Sequence, residues 1–353
     1  MPDNYLPNSI VIRSSFYHHA KHAGYKQILK YTQPKAIFGI NENEPAPSIW
    51  KQKYQWLYEF EAYRYAKEHP IDLLHILYGE DYFRFSTFLL KKKPVIVTFH
   101  QPPEILQREI HYGDVRGKVG RLTHLITKNR FKNLSAAIVI TEAQKAILSE
   151  VMSTDKIHVL SLGADLNTLL NKAKTMKKDR FAKKQILTVG NWQRDWDFYF
   201  EMLKFCSVKH PDWNFVLVCR NLPDQYKAMA PEHSNLFYKE FNDEELISFY
   251  TESRMQFLPI KGGAGNNSVM ESLALGCPLV MTDIGTRSLE EENSFIHLHT
   301  KKSLESAEKE IEEFITVSGE GLEEISKKML KYALNFDWSV IGAKTLEIYK
   351  SVL

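Results

Sequence analysis

The chain has 353 residues, 44% of them apolar and 25% charged, with a formal net charge of +3 at pH 7. That length exceeds one ordinary domain and suits two soluble globular domains, each able to bury its own core. The small net charge gives no ground for a nucleic-acid partner. Three scattered cysteines, Cys206, Cys219 and Cys277, exclude a cysteine-rich zinc site and a disulfide framework.

The opening MPDNYLPNSIVI has no basic stretch followed by a long apolar one, and no run of about 18 apolar residues occurs anywhere. Neither a signal peptide nor a spanning helix is expected. The expected location is cytoplasmic, or peripheral on the inner face of a membrane.

In chain order, the first half offers short β-branched strands at Ser9 to Arg13, Leu73 to Tyr78, Pro94 to His100, Ala136 to Thr141 and Ile157 to Leu162. Helical stretches such as Ile49 to Glu68, Val115 to Asn133 and Glu142 to Val151 lie between them. Continuously apolar strands alternating with helices predict a parallel, doubly wound α/β sheet covered on both faces. The lysine-rich stretch 171–185 has little to bury and reads as a linker. The rhythm then restarts with strands at Ile186 to Val189, Phe215 to Cys219, Met255 to Pro259, Pro278 to Thr282 and Phe295 to Leu298. The expected organisation is an α/β domain over 1–170, the linker, a second α/β domain over 186–335, and a terminal helix over 336–353 that returns to the first domain. Two such domains normally face a cleft, and ligands sit beyond the carboxyl ends of the strands.

The segment richest in chemistry is Phe257 to Asp283, FLPIKGGAGNNSVMESLALGCPLVMTD. It reads as strand, glycine-rich loop, helix, glycine stop and strand, with Asn266 or Asn267 capping the helix and Gly276 ending it. Gly262, Gly263 and Gly265 would let a ligand approach the backbone, and the helix start would attract a diphosphate. Glu271, about one turn in, would reach a ribose diol. The loop by itself is equally a plain strand–turn–helix connection with a dipole-friendly glutamate.

This segment resembles the donor-site signature of the GT-B glycosyltransferases, the retaining family 4 or group 1 transferases. Pro259 matches the family's strand end, Glu271 the second glutamate of its E-x7-E element, Ala274 to Pro278 its small-residue turn and Thr282 to Gly285 the next strand end. The first glutamate of that element falls on Gly263, which leaves sugar recognition to backbone N–H groups or to Asn266 and Asn267. Ile186 to Asp197, ILTVGNWQRDWD, is similar to the first strand and turn of the family's second domain. There Asn191 takes the usual arginine place, and the diphosphate role passes to Arg194, whose alternative is a surface arginine paired with Asp195 or Asp197. Asn242 to Tyr250 resembles a scaffold stretch of the family. Phe336 to Leu353 resembles its terminal helix, with Trp338, Ile341, Leu346 and Tyr349 as the buried face.

In the first domain, PVIVTFHQPPE sets His100 at a strand's carboxyl end, where it resembles the family's active-site histidine; a structural histidine is the alternative. His75, inside LLHILY, reads as a core histidine. SFYHHAKHAGYKQI resembles the family's amino-terminal loop, with Gly24 matching one glycine and Ala23 in place of another. His18, His19 and His22 there suggest a metal, but a polar cleft rim explains them better. Residues 116–132 carry six Lys or Arg and no acid among Val119, Leu122, Leu125 and Ile126. This stretch fits an anionic membrane surface and an ordinary solvated helix face equally.

The resemblance implies a retaining transferase that needs no metal or other cofactor. It would move a sugar from a UDP- or GDP-sugar to a hydroxyl of a glycan or lipid-linked saccharide, as in cell-surface polysaccharide synthesis. His100, Arg194 and Glu271 would be its catalytic residues. Donor contacts would come from Gly24, Gly190, Asn191, Lys261, Gly262, Gly263, Ala264, Gly265, Asn266, Asn267 and Ser268. The alternatives are a degenerate domain that binds a sugar nucleotide or a partner transferase without chemistry, and a nucleotide-sugar epimerase. A phosphorylase is disfavoured, since no lysine motif for pyridoxal phosphate is evident.

Overall fold

The computed structural model describes residues 5–14, 24–41, 45–112, 122, 125, 127, 129–175, 181, 183–219, 222–230, 236–239, 243–284 and 295–353. The chain divides into two compact units, one of residues 1–163 with 338–353, the other of residues 164–337. Each is a six-stranded, all-parallel sheet flanked by helices, the two-Rossmann-domain class expected from the strand rhythm.

The first sheet runs β2-β1-β3-β4-β5-β6, from β1 Ser9–Ile12, β2 Ala36–Phe38, β3 Leu73–Ile76, β4 Val95–Phe99, β5 Ala136–Val139 and β6 Ile157–Val159. The second runs β12-β11-β10-β7-β8-β9, from β7 Gln185–Val189, β8 Asn214–Val218, β9 Leu236–Lys239, β10 Met255–Leu258, β11 Leu279–Thr282 and β12 Ile296–His299. All residues of β1, β3, β4, β5, β7, β10 and β11 are buried, which is why those strands read as unbroken apolar runs. The sequence reading omitted β2 and β9. Both are edge strands, and β2 is only partly covered, so neither needs a long apolar run.

Strand order reverses between β1 and β3 in the first unit and between β7 and β10 in the second. The carboxyl ends of strands flanking such a switch point are where open α/β sheets bind ligands. Helices that start at the carboxyl ends of the strands are well specified. Thr141 and Gln144 form a reciprocal capping box, and Asp195 accepts from the Phe198 N–H to start the helix Trp196–Lys209.

Two expected boundaries move. Leu166–Thr175 is a helix packed on the helices Asp243–Glu252 and Asn267–Leu275, so the front of the expected linker is structure of the second unit. Ile49 to Glu68 is not one helix but Ile49–Lys53, a 3-10 turn at Gln55–Leu57, and Tyr58–Glu68.

The terminal helix Trp338–Ser351 packs within the first unit. Trp338, Ile341 and Tyr349 are buried and Leu346 is partly so. Gly342 permits the approach, since a Cβ there would stand 2.5 Å from Tyr31 Cβ. His75 Nδ1 meets the Tyr349 hydroxyl and Nε2 the Thr98 hydroxyl, both at 2.8 Å. The expected core histidine is therefore a polar pin between β3, β4 and the last helix, and burial pushes its pKa down to about 3.

Candidate active site

In the second unit, the loops after β7 and β10 are stitched together beyond the switch point. Asp195 N–H donates to Pro259 O at 3.0 Å and Lys261 N–H to Gln193 O at 2.9 Å, with an antiparallel bridge between Arg194 and Ile260. Ile260 N–H donates to Thr282 Oγ1 at 3.0 Å, which ties in the end of β11. Gly190 turns the chain out of β7 with φ +90°, a conformation that favours glycine.

The glycine-rich loop then leads into the helix Asn267–Leu275. Asn266 caps it, its Oδ1 accepting from Ser268 N–H at 3.1 Å and Ser268 Oγ at 2.8 Å, and Gly276 ends it in the left-handed region at φ +65°. Gly262 and Gly263 are required neither by positive φ nor by crowding. A Cβ on Gly262 would meet nothing within 4 Å, and on Gly263 only Ile284 Cδ1 at 3.8 Å. The helix itself is buried from Ser268 to Leu275. Glu271 is 7% exposed and accepts a 3.1 Å hydrogen bond from the Tyr250 hydroxyl. Burial, then the charge of Glu271, raises the Tyr250 pKa, so the phenol stays a donor.

Arg194 is 5% exposed, and its fork is spent inside the protein. Nε and Nη2 donate to the Val189 carbonyl at 3.0 and 2.5 Å, Nη1 to the Trp192 carbonyl at 3.0 Å, and Nη2 also to Ser268 Oγ at 3.2 Å. Burial pushes its pKa down to about 10, which leaves it charged near neutral pH. This corrects the expectation of a guanidinium reaching a diphosphate, and equally that of a surface arginine. Four of its five N–H donors join the β7 loop to the first turn of the helix, and its positive charge lies behind the loop. The exposed groups are Asn191, Lys261 and the Trp192 indole, 51% exposed. Lys261 Nζ lies 3.7 Å from Asp195 Oδ1.

In the first unit, His100 follows β4. Its Nε2 lies 2.6 Å from the Leu77 carbonyl, which can only accept, so Nε2 carries a proton. Its main-chain N–H points at the Glu80 carboxylate, 3.3 and 3.4 Å away. The ring packs on Tyr25 and Tyr78, with centroids at 4.7 and 4.8 Å. Burial, reinforced by Asp81, raises the Glu80 pKa to about 8. Gly24, at φ +85°, precedes the turn that carries Tyr25.

The comparisons with known proteins bear on both units. The family model described as Glycosyltransferase Family 4 matches residues 28–168, and that described as Glycosyl transferases group 1 matches residues 183–316. The chain belongs to the GT-B glycosyltransferases. Among solved structures it is similar to an alpha,alpha-trehalose-phosphate synthase (UDP-forming) from Burkholderia vietnamiensis, at 13% identity and TM-score 0.74, with 99% of this chain and 98% of that one covered. A glycosyltransferase from Rickettsia africae ESF-5 is similar at 15% identity and TM-score 0.68, with 99% of each chain covered. HepE of Anabaena, solved in complex with UDP, is similar at 13% identity and TM-score 0.71, with 98% of this chain and 100% of that one covered. No curated protein matches.

Within this glycosyltransferase, the second unit gathers Gly190, Asn191, Arg194, residues 261–268 and Glu271 around one switch point, while Gly24 and His100 lie in the first unit. His18, His19, His22 and most of 116–132 fall outside the described residues. Leu122 and Leu125 of that stretch are exposed. Sequence reasoning missed Tyr250, Trp192 and Glu80. Glu80 was signalled by its place just after β3, the strand beside β4; Tyr250 carried no local signal, because it meets Glu271 only through helix packing.

The sequence also holds an Asp-x-Asp triplet, Asp195-Trp196-Asp197, overlooked in the expectation of metal independence. Its carboxylates part: Asp195 caps the helix, and Asp197 accepts from the Tyr226 hydroxyl. Among the described residues, the group able to hold a metal is His297, Glu310 and Glu313, on β12 and the helix Leu304–Thr316. His297 Nδ1 lies 2.9 Å from Glu310 Oε2 and 3.3 Å from Glu313 Oε2. No helix among the described residues is long and apolar enough to cross a membrane.

Proposed function

We propose that this glycosyltransferase moves a glycosyl group from a UDP- or GDP-sugar to a hydroxyl of a glycan or lipid-linked saccharide, with retention at the anomeric carbon and without a metal. The observation that carries the reading is the stitched pair of loops at the β7–β10 switch point, opening onto a capped helix start. The solved structure of HepE with UDP supports a nucleotide-sugar donor.

As the glycosidic bond breaks, charge grows on the departing diphosphate. Main-chain N–H groups of residues 262–267 and the exposed Lys261 would meet it, and the charge of Arg194 would act from behind the loop. Arg194 is thus a positioning residue in this reading. Glu271 would hold the ribose, and Trp192 offers a stacking face for the base or sugar. His100, with Nε2 held by Leu77, would orient the reacting groups rather than attack. The exposed Leu122 and Leu125, in a basic stretch, support acceptor delivery at an anionic membrane in the cytoplasm.

Nucleotide release from UDP-, GDP- and ADP-sugars, without metal and with or without a lipid and glycan extract, tests the proposal. Two observations favour a second reading, a sugar-nucleotide-binding domain without turnover: Gly263 supplies no carboxylate, and Arg194 faces inward. Donor binding without release would establish that reading.

A further inference from the structure

The imidazole of His297, on the edge strand β12, and the carboxylates of Glu310 and Glu313 converge outside the groups assigned above. The helix Leu304–Thr316 packs on β12, and a three-residue spacing sets both glutamates on one face of it. The His297 ring rests on Phe314, with centroids 4.3 Å apart. One donor atom from each of the three residues lies within 4.8 Å of the other two. The strand β11 separates β12 from β10, so this group is distinct from the donor loops after β7 and β10.

Three observations separate it from an ordinary ion pair. First, His297 Nδ1 is shut from water and has no hydrogen bond, although Glu310 Oε2 stands 2.9 Å from it and Glu313 Oε2 3.3 Å. A protonated nitrogen aimed at the nearer oxygen would make a charge-assisted hydrogen bond at that distance, so the oxygens stand to the side of the direction in which the nitrogen points. Second, ligands about 2.1 Å from a shared cation and roughly 90–105° apart around it stand about 3.0–3.3 Å from each other. The two nitrogen–oxygen distances match the edges of such a shell, with the cation on the nitrogen's axis and the oxygens flanking it. Third, neither glutamate has a Lys or Arg partner among the described residues, so two like charges are gathered with no fixed cation beside them. The oxygens standing over the nitrogen are themselves the other ligands, and the Glu313 side chain is 50% exposed. A bare cation reaches the nitrogen as these carboxylates turn around it, and nothing the size of water has to enter first.

We propose that His297 Nδ1, Glu310 and Glu313 bind one zinc-class divalent cation, with water completing its shell, and so clamp β12 to the helix Leu304–Thr316. Imidazole beside carboxylate oxygen suits zinc, whereas magnesium prefers oxygen ligands alone.

The test is calorimetric titration of the full chain, free of any affinity tag and stripped with EDTA, with zinc chloride and with magnesium chloride. E310Q and E313Q, which keep the side-chain shape, are compared with the parent. Zinc bound equally by parent and variants belongs to other groups, including His18, His19 and His22, so the difference reads this site. The proposal predicts that each variant loses at least about tenfold in zinc affinity at one site. Magnesium should bind there at least about tenfold more weakly than zinc. Zinc should also raise the unfolding midpoint of the parent more than that of either variant. Equal zinc affinity in parent and variants, or magnesium held there as tightly as zinc, would overturn the proposal.

Discussion

Gly190 and Arg194 hold each other in place. Gly190 leaves β7 at φ +90°, and a Cβ on it would stand 2.6 Å from Arg194 Nη2. Gly190→Ala therefore meets both an unfavourable backbone conformation and a guanidinium fixed by four hydrogen bonds. The expected cost is about 1–3 kcal/mol of stability, read as a lower midpoint in thermal or urea unfolding. An unchanged midpoint would show that the loop has another way to close.

Arg194→Lys distinguishes positioning from phosphate contact. A lysine keeps the charge but cannot reproduce the fork on Val189, Trp192 and Ser268. Stability should fall by about 2–4 kcal/mol, because buried carbonyls lose their donors. A variant of normal stability with reduced kcat would instead mark Arg194 as a direct contact to the diphosphate.

Trp192→Ala should behave in the opposite way. The indole is half exposed, so stability should stay within about 0.5 kcal/mol. Loss of about 1 kcal/mol of stacking would raise the KM for the donor or acceptor roughly fivefold. Unchanged kinetics with both substrates would remove Trp192 from the site.

The His75–Tyr349 pin predicts acid sensitivity. The His75 pKa falls from 6.5 to about 3 on folding, so between those pH values the unfolded chain binds the extra proton. Its contribution is complete above about pH 6.5 and is lost as pH falls, at roughly 1.4 kcal/mol per pH unit. Replacing His75 by Gln, which cannot titrate, should flatten the dependence of unfolding free energy on pH between 6.5 and 4. Equal slopes in the two proteins would contradict this assignment.

The central strands and the capped helix after the glycine-rich loop were legible because each has a local cause. Buried parallel strands must be apolar throughout, as in β4 and β10, and Asn266 and Gly276 cap by rules that act within a few residues. Edge strands β2 and β9 lack that cause and were missed. Arg194 was given the wrong direction, because its partners Val189 and Ser268 come together only when β7 and β10 become neighbours. The same holds for Tyr250, which meets Glu271 through the packing of two helices. Nothing in FHQPPE announces that the Leu77 carbonyl would meet the His100 ring.

Nucleotide release from UDP-, GDP- and ADP-sugars, without metal, tests the central claim most directly when Glu271→Ala is run beside the parent chain. Release of one nucleotide, dependent on the acceptor extract and lost in Glu271→Ala, is the predicted result. Measurable donor binding with no release from any donor, or release that Glu271→Ala leaves intact, would contradict the account.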